Sequence, residues 1–279
     1  MKDTAPNDLA NIRNYLFLRA ERLWEWSLVL AVGMVGATVA GLWINTPWIV
    51  SSIGLIALAF PVAVSWMRDT ANDAQLKAEK CRRLILIADG LGHDIAPAEL
   101  AEVRAWGLGV TLDAAPFVKP YYSSALPDGT QRLADIAAEA AFFSAQLAGK
   151  VAAGVRLAFI ISVVACVVAL MLIDLPGTAA KPILILVAKS TAVFLVFLIS
   201  GDFFLIAKRY GNLQHASRQA LDRCARLRAD SAALAEEVRS AVEDYAVALM
   251  QCPPIPAWLY LRYRDDLNTV YRSSHQVGG

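Results

Sequence analysis

Four long apolar stretches alternate with more polar segments along the chain. Each holds about the 20 residues that a helix needs to cross the hydrocarbon core of a bilayer. The stretches cover about residues 26–44, 48–67, 155–173 and 182–201. Two short turns, at 45–47 and 174–181, join them in pairs. The pattern predicts an all-α membrane protein with four transmembrane helices arranged as two hairpins.

Helical periodicity continues outside the apolar stretches, which predicts that each span extends into an amphipathic helix. Ahead of the third stretch, apolar residues follow steps of three and four: Leu133, Ile136, Ala140, Phe143 and Leu147. After the fourth stretch, they recur every seven residues: Leu213, Ala220, Leu227, Leu234, Ala241 and Ala248. We therefore expect a cytoplasmic helical stalk or bundle that includes one long helix over about 208–250. Its apolar seams fit packing within one chain as well as packing between subunits.

These patterns divide the chain into five segments. They are a cytoplasmic N-terminal helix at 1–25, a transmembrane hairpin at 26–67, a cytoplasmic helical insert at 68–154, a second hairpin at 155–207, and a cytoplasmic long helix with a Pro-, Trp- and Tyr-rich motif at 208–279. Within the insert, the run Asp89–Asp94 holds two glycines and is expected to be a glycine helix cap. The irregular tip of the insert carries Tyr121 and Tyr122.

The distribution of basic residues predicts which side of the membrane each segment faces. Of the 26 Lys and Arg residues, 10 lie in 68–156 and 10 in 208–279, whereas the two turns contain only Lys181. Basic residues accumulate in cytoplasmic loops, so both termini and the central segment are expected in the cytoplasm. The net charge is only +1, which gives no reason to expect a DNA or RNA partner.

The sequence carries no motif for catalysis or for metal binding. Gly149 and Lys150 are followed by Val151 and lack the spacing of a phosphate-binding Walker loop. No Gly-x-Ser-x-Gly nucleophile motif occurs. The four cysteines and three histidines are not spaced as zinc ligands. We therefore expect a protein that is not an enzyme and that uses no cofactor or metal.

Three small residues, Gly33, Ala37 and Gly41, recur every four positions in the first apolar stretch. On a transmembrane helix, such spacing makes a smooth face that another backbone can approach closely. The face would pack within its own hairpin or against another subunit.

Three charged residues lie on the two helices of the second predicted hairpin, outside its turn. Arg156 and Asp202 fall at similar depth on its two helices, so we expect them to form an ion pair. Lys189 lies deeper, and no carboxylate occurs at a matching depth in any span. An unpaired lysine there is costly. Either its side chain extends towards the membrane surface, or it faces a water-filled lumen, where rings of lysine favour anions.

The C-terminal segment combines aromatic and basic residues on a predicted short helix. Prolines end the preceding helix, and the next helix is expected to start near Ala257. It presents Tyr260, Tyr263, Leu267 and Tyr271 as one stripe, with Arg262, Arg264 and Arg272 nearby. The stripe would pack back on the stalk or bind a nucleotide, because guanidinium groups pair with phosphates and aromatic rings stack on bases. Tyr121 and Tyr122 are a second candidate for receiving a ligand.

The run Pro-Ile-Pro-Ala-Trp-Leu-Tyr at 254–260, followed by Arg264, Asn268, Tyr271 and Arg272, resembles the SMODS-associated four-transmembrane pore-forming effectors. The two predicted hairpins split by a cytoplasmic insert are similar to that family as well. The resemblance implies a bacterial antiphage system of the CBASS type. In such a system, a partner nucleotidyltransferase makes a cyclic oligonucleotide, and a homo-oligomeric effector then breaches the inner membrane in abortive infection. The alternative is a non-pore membrane protein, either a signalling or scaffold protein or a small transporter subunit.

Overall fold

The computed structural model is all-helical in the residues that it describes, and no strand occurs among them. The described residues are 4–44, 46–107, 122, 124–173, 181–200, 203–230 and 235–276. The helices are α1 (Thr4–Trp43), α2 (Pro47–Leu91), α3 (Pro97–Trp106), α4 (Thr130–Ile173), α5 (Lys181–Ser200), α6 (Phe203–Ala229), α7 (Ala235–Met250) and α8 (Ala257–Gln276). The predicted all-α class is confirmed.

The chain divides into two compact units. The first, which we call the helical unit, consists of Met1–Glu21, Ala71–Lys150 and Arg209–Gly279. The second, which we call the apolar unit, consists of Arg22–Thr70 and Val151–Lys208. Helices α1, α2, α4 and α6 each contribute residues to both units.

Among the described residues, three helices are long and apolar enough to cross a membrane. They are Leu9–Trp43 within α1, Ser51–Leu91 within α2 and Thr130–Val168 within α4, and each contains an 18-residue stretch of high mean hydropathy. The described apolar part of α5, Ile185–Phe197, is shorter. The structure therefore supports three of the four predicted spans by length and composition.

The surface of the apolar unit is rich in large apolar side chains. Exposed examples on α1, α2, α4 and α5 are Trp26, Val29, Leu55, Val62, Ile160, Ile161, Met171 and Val196. Inside the unit, Ala31 and Val35 of α1 pack with Phe197 of α5. An apolar exterior of this extent is unusual for a protein surrounded by water and typical of one surrounded by lipid.

The core of the helical unit includes residues that the periodic pattern placed on the predicted seams. Leu133 and Ile136 of α4 are fully buried, and they pack with Leu86 of α2, Cys224 of α6 and Val238 of α7. A second cluster joins α1, α2 and α3 through Leu9, Ile12, Leu16, Ala78, Cys81, Ile85 and Val103. These apolar faces therefore pack against one another within one chain.

The prediction of a single long helix over 208–250 is wrong. Helix α6 ends at Ala229, and α7 begins at Ala235. The two helices pack antiparallel, because Arg223 Nη1 of α6 lies 2.9 Å from Asp244 Oδ2 of α7, while Cys224 packs with Val238 and Val242. Folding α7 back on α6 buries Cys224 of α6 and Val238 and Ala241 of α7 in one cluster with α4.

Helix α2 ends in the glycine cap that the sequence predicts. Gly92 follows the last helical residue with a φ of +67°, and its N–H donates to the carbonyl of Ala88 at 3.0 Å. This is the hydrogen bond of an αL cap. Gly90, one residue inside the helix, lies so close to α4 that an added Cβ would fall 2.7 Å from Leu133 Cα.

Candidate ligand-binding site

The helical unit contains a cavity of about 860 Å³. Its lining comes from α1, α2, α4, α6, α7 and α8, from the segment between α7 and α8, and from Tyr122, which precedes α4. Cavities that bind small molecules and cofactors are commonly in this size range. The walls combine apolar and aromatic side chains with a few buried polar groups, and these polar groups define what the cavity can bind.

One wall is formed by three polar residues of α2, Gln75, Glu79 and Arg82, at positions i, i+4 and i+7. This spacing places them on one face of the helix. Gln75 Nε2 donates to the carbonyl oxygens of Leu249 at 3.2 Å and Cys252 at 2.6 Å. The last carbonyls of a helix lack partners within it, so Gln75 caps the C-terminal end of α7.

Glu79 is a buried acid in this wall, with 4% of its surface exposed. Its Oε1 lies 3.6 Å from Arg82 Nη1. Burial raises the pKa of the Glu79 carboxyl above its ordinary value of 4.5, while the positive charges of Arg82 and Arg13 act in the opposite direction. The carboxyl therefore holds its proton to higher pH than an exposed glutamate does.

Arg82 connects this wall to α7 and α4 through Tyr245. Its Nη2 donates to the hydroxyl of Tyr245, and its guanidinium lies 5.3 Å from the centre of the Tyr245 ring. The Tyr245 hydroxyl also donates to the carbonyl of Ala140 at 2.9 Å and lies 2.6 Å from Ser144 Oγ. Burial raises the pKa of the Tyr245 hydroxyl, so it remains a neutral hydrogen-bonding group. The network fixes the Arg82 side chain at the cavity wall.

Helix α8 forms another part of the lining and begins at Ala257, as the sequence predicts. Tyr271 is buried, with its ring 5.3 Å from Phe142 and 6.2 Å from Phe143 of α4. Lys150 Nζ lies 3.9 Å from the centre of the Tyr263 ring. These contacts attach the aromatic stripe to the bundle, as one of the two interpretations of the sequence proposed.

The structure divides the predicted C-terminal residues into two groups. Tyr260 and Arg272 line the cavity, together with Asn268. Arg262 and Arg264 are exposed and do not line it, and Arg264 Nε pairs with the adjacent Asp265 Oδ1 at 3.2 Å. One helix therefore carries both cavity-lining and exposed members of the predicted set.

Of the two tyrosines predicted at the tip of the insert, Tyr122 is buried and lines the same cavity. Tyr121 lies outside the described residues. The structure thus brings Tyr122 close to a site that also contains C-terminal residues.

Sequence reasoning missed Gln75, Glu79 and Arg82. Along the sequence, they are part of an ordinary charged amphipathic helix. The available signal was their position, because Gln75 and Glu79 directly follow Ala74 and Ala78, which are buried small residues of α2. Polar residues next to such buried positions are candidates for a buried polar wall.

The residues predicted to act within the membrane are only partly described. Arg156 on α4 and Lys189 on α5 are exposed. Asp202 lies outside the described residues, and so does its expected ion pair with Arg156.

The predicted small-residue face of α1 approaches α2 at Gly41. A Cβ on Gly41 would lie 3.6 Å from Ile53 Cγ2 of α2. Nothing lies within 4 Å of a Cβ added to Gly33. Ala37, between them, is partly buried. Gly41 therefore approaches the neighbouring helix of its own predicted hairpin, while the surface at Gly33 is open.

No group of three or more His, Cys, Asp or Glu side chains that could hold a metal ion occurs in the described part of the chain. Comparisons of the chain with protein-family models, curated proteins and solved structures found no match. The cavity and the apolar helices are therefore the basis for assigning a function.

Proposed function

We propose that the protein is a pore-forming effector of a bacterial inner membrane, gated by a cytoplasmic ligand that binds the cavity. One observation carries the proposal. Helices α1, α2 and α4 each contribute residues to the cavity wall, and each also contains a segment apolar and long enough to cross a membrane. A ligand in the cavity therefore contacts the same helices that reach the bilayer.

The proposed topology has four spans in two hairpins, with α5 as the fourth. Helix α5 has 20 residues and no acidic residue, which is enough to cross a hydrocarbon core of about 30 Å. Both termini and the insert at 68–154 lie in the cytoplasm, in keeping with the basic residues concentrated in these segments. The assembly is a homo-oligomer, because one chain with four spans offers little room for an aqueous path.

The proposed ligand is a cyclic oligonucleotide made by a partner nucleotidyltransferase in CBASS-type antiphage defence. The sequence resemblance motivates this choice, and the chemistry of the cavity supports it. Phe143 and Tyr260 present aromatic rings 6.4 Å apart on its wall, and rings of this kind stack on nucleobases. Arg82 and Arg272 also line it, and guanidinium groups bind phosphate oxygens with strong, oriented hydrogen bonds.

Gating follows from a difference in affinity. A ligand shifts a conformational equilibrium only when it binds one arrangement better than the other. Residues from six helices and from the segment between α7 and α8 surround the cavity, so a small change in helix packing alters its shape. A ligand that fits the open arrangement best would raise the population of open pores.

The test is leakage of a dye from liposomes that contain the purified full-length protein, with and without a panel of cyclic oligonucleotides. We expect leakage to start when one member of the panel is added. Arg272→Ala should reduce the response, whereas Arg264→Ala, at an exposed position outside the cavity, should not.

The pore-forming function would be overturned if the folded, oligomeric protein gave no leakage with any member of the panel and none without ligand. The non-pore signalling, scaffold or transporter-subunit function would then take its place.

A further inference from the structure

The amide of Gln75 has a fixed orientation. Its Nε2 donates both hydrogens, to the carbonyl oxygens of Leu249 and Cys252. With the amide turned over, its oxygen would face two carbonyl oxygens and make no hydrogen bond with either. The two backbone acceptors therefore determine which end of the side chain is the oxygen.

This orientation leaves the oxygen of Gln75 without a donor. Gln75 is 4% exposed, and within the described residues nothing donates a hydrogen bond to its Oε1. Buried acceptors are almost always paired, and leaving one unpaired destabilises a protein. The residue lines the cavity, so a donor on a bound ligand can complete its hydrogen bonding.

A second acceptor lies one helical turn along the same wall. Glu79 is also 4% exposed and lines the cavity. Its distance of 3.6 Å from Arg82 Nη1 is longer than that of a good hydrogen bond. Burial raises the pKa of this carboxyl, as expected of an acid that its neighbours compensate only in part.

We infer that Gln75 Oε1 and Glu79 together recognise a ligand edge that carries adjacent N–H donors, the edge that guanine presents with its ring N1–H and its exocyclic amino group. Adenine and uracil each place an acceptor within the corresponding edge, which would face the acceptors of α2. The rings of Phe143 and Tyr260 on the same cavity wall suit the flat face of such a base. The inference rests on the proposed function for the class of ligand, a nucleotide, and adds which base the site prefers.

Binding to the detergent-solubilised full-length protein tests the inference without measuring leakage. The probes for isothermal titration are cyclic di-GMP, cyclic di-AMP and cyclic di-UMP. The pair GMP and IMP differs only in the exocyclic amino group of the base. We expect GMP to bind at least about ten-fold more tightly than IMP, the usual scale for one well-placed base contact. We also expect cyclic di-GMP to bind more tightly than the other two cyclic probes.

The matched variant is Gln75→Lys. Its ammonium can still donate to the carbonyl oxygens of Leu249 and Cys252, but it offers no acceptor. We expect it to remain folded, with GMP affinity at least about ten-fold weaker and the preference for GMP over IMP lost. Arg264→Ala should bind all probes as the wild type does. If Gln75→Lys does not fold, the GMP and IMP comparison on the wild-type protein decides.

The outcomes separate this inference from the proposed function. Equal binding of GMP and IMP, or preference for an adenine or uracil probe, overturns the inference that the site recognises guanine. This holds even if that probe causes leakage. Guanine-specific binding that depends on Gln75, with no leakage from liposomes, retains the inference and overturns the pore. If none of the five probes binds, the inference is wrong.

Discussion

Arg132, in the first turn of α4, binds both the carboxylate and the backbone carbonyl of Asp89, near the end of α2. Its Nε donates to the Asp89 carbonyl at 3.1 Å, and its Nη2 lies 3.3 Å from Asp89 Oδ1. Its Nη1 donates to the carbonyls of Ser124 and Leu126 at 3.1 and 2.9 Å. One guanidinium thus joins α2, α4 and the segment that precedes α4.

Replacing Arg132 by alanine should lower the stability of the helical unit. The Arg132 side chain is 13% exposed, and its removal leaves three carbonyl oxygens and the carboxylates of Asp89 and Asp128 without this partner. We expect a loss of about 3 kcal/mol, measured as a lower midpoint of thermal unfolding in detergent. The midpoint of Arg132→Lys should be intermediate, because an ammonium cannot reproduce the planar set of hydrogen bonds that the guanidinium donates.

The control for this variant is Arg264→Ala, because Arg264 is exposed on α8 and, within the described residues, forms its ion pair with the adjacent Asp265. Its midpoint should change little. An Arg132→Ala protein as stable as this control would show that the Arg132 contacts do not support the bundle.

Gly90→Ala should destabilise the protein because α2 and α4 meet there at backbone distance. The new Cβ would lie 2.7 Å from Leu133 Cα, and Gly90 O already accepts a hydrogen bond from Gly129 N at 2.8 Å. Separating the helices to relieve this overlap should cost about 1–3 kcal/mol. The measurement is the thermal midpoint together with the urea concentration at half-unfolding.

Two other glycines are controls for Gly90→Ala. At Gly149, the three atoms nearest to the added Cβ all belong to the end of the Gln214 side chain, which can move away. At Gly154, nothing lies within 4 Å, and alanine should favour the helix by about 1 kcal/mol. A loss of stability that is equal at all three positions would contradict the proposed contact between α2 and α4.

The core of the helical unit could be predicted from the sequence because it follows local helical periodicity. Leu133 and Ile136 lie on the predicted seam of α4, and both are fully buried. The seven-residue repeat could not distinguish one long helix from two. A helix and a helical hairpin both direct every seventh residue towards the same core, so the repeat continues through the end of α6 at Ala229.

The cavity could not be predicted, since its polar wall depends on contacts between distant parts of the chain. Gln75 is separated by 174 residues from Leu249, whose carbonyl it binds. No local pattern shows that a glutamine of α2 caps α7. The sequence did identify α8 correctly, because the prolines before Ala257 separate it from α7. No pattern in the sequence indicated that Phe142 and Phe143 pack against the Tyr271 ring.

The buried Glu79 should make stability depend on pH. Its pKa in the folded protein is raised above 4.5 by burial, with Arg82 and Arg13 opposing. Between 4.5 and the folded pKa, the folded state binds more protons than the unfolded state, so stability falls as pH rises. Each unit of difference between the two pKa values is about 1.36 kcal/mol.

Glu79→Gln removes this titration and retains the size of the side chain. The thermal midpoint of the wild type should fall relative to that of the variant as pH rises from 5 upwards, on a scale set by about 1.36 kcal/mol for each unit of pKa difference. Thermal midpoints measured in detergent from pH 5 upwards show whether the stability of the wild type falls or rises relative to that of the variant. Parallel curves for the two proteins would mean that Glu79 has the same proton affinity in both states.

Lys189 should control the ion selectivity of the proposed pore. It is an exposed cation in the apolar helix α5, and a ring of lysines in an oligomer favours anions. We expect ligand-evoked currents in planar bilayers to reverse near the chloride equilibrium potential. Lys189→Ala should reduce this preference, whereas Lys189→Arg should retain it because the charge remains. Cation-selective currents that are unchanged by Lys189→Ala would exclude Lys189 from the conduction path and leave its side chain directed towards the membrane surface.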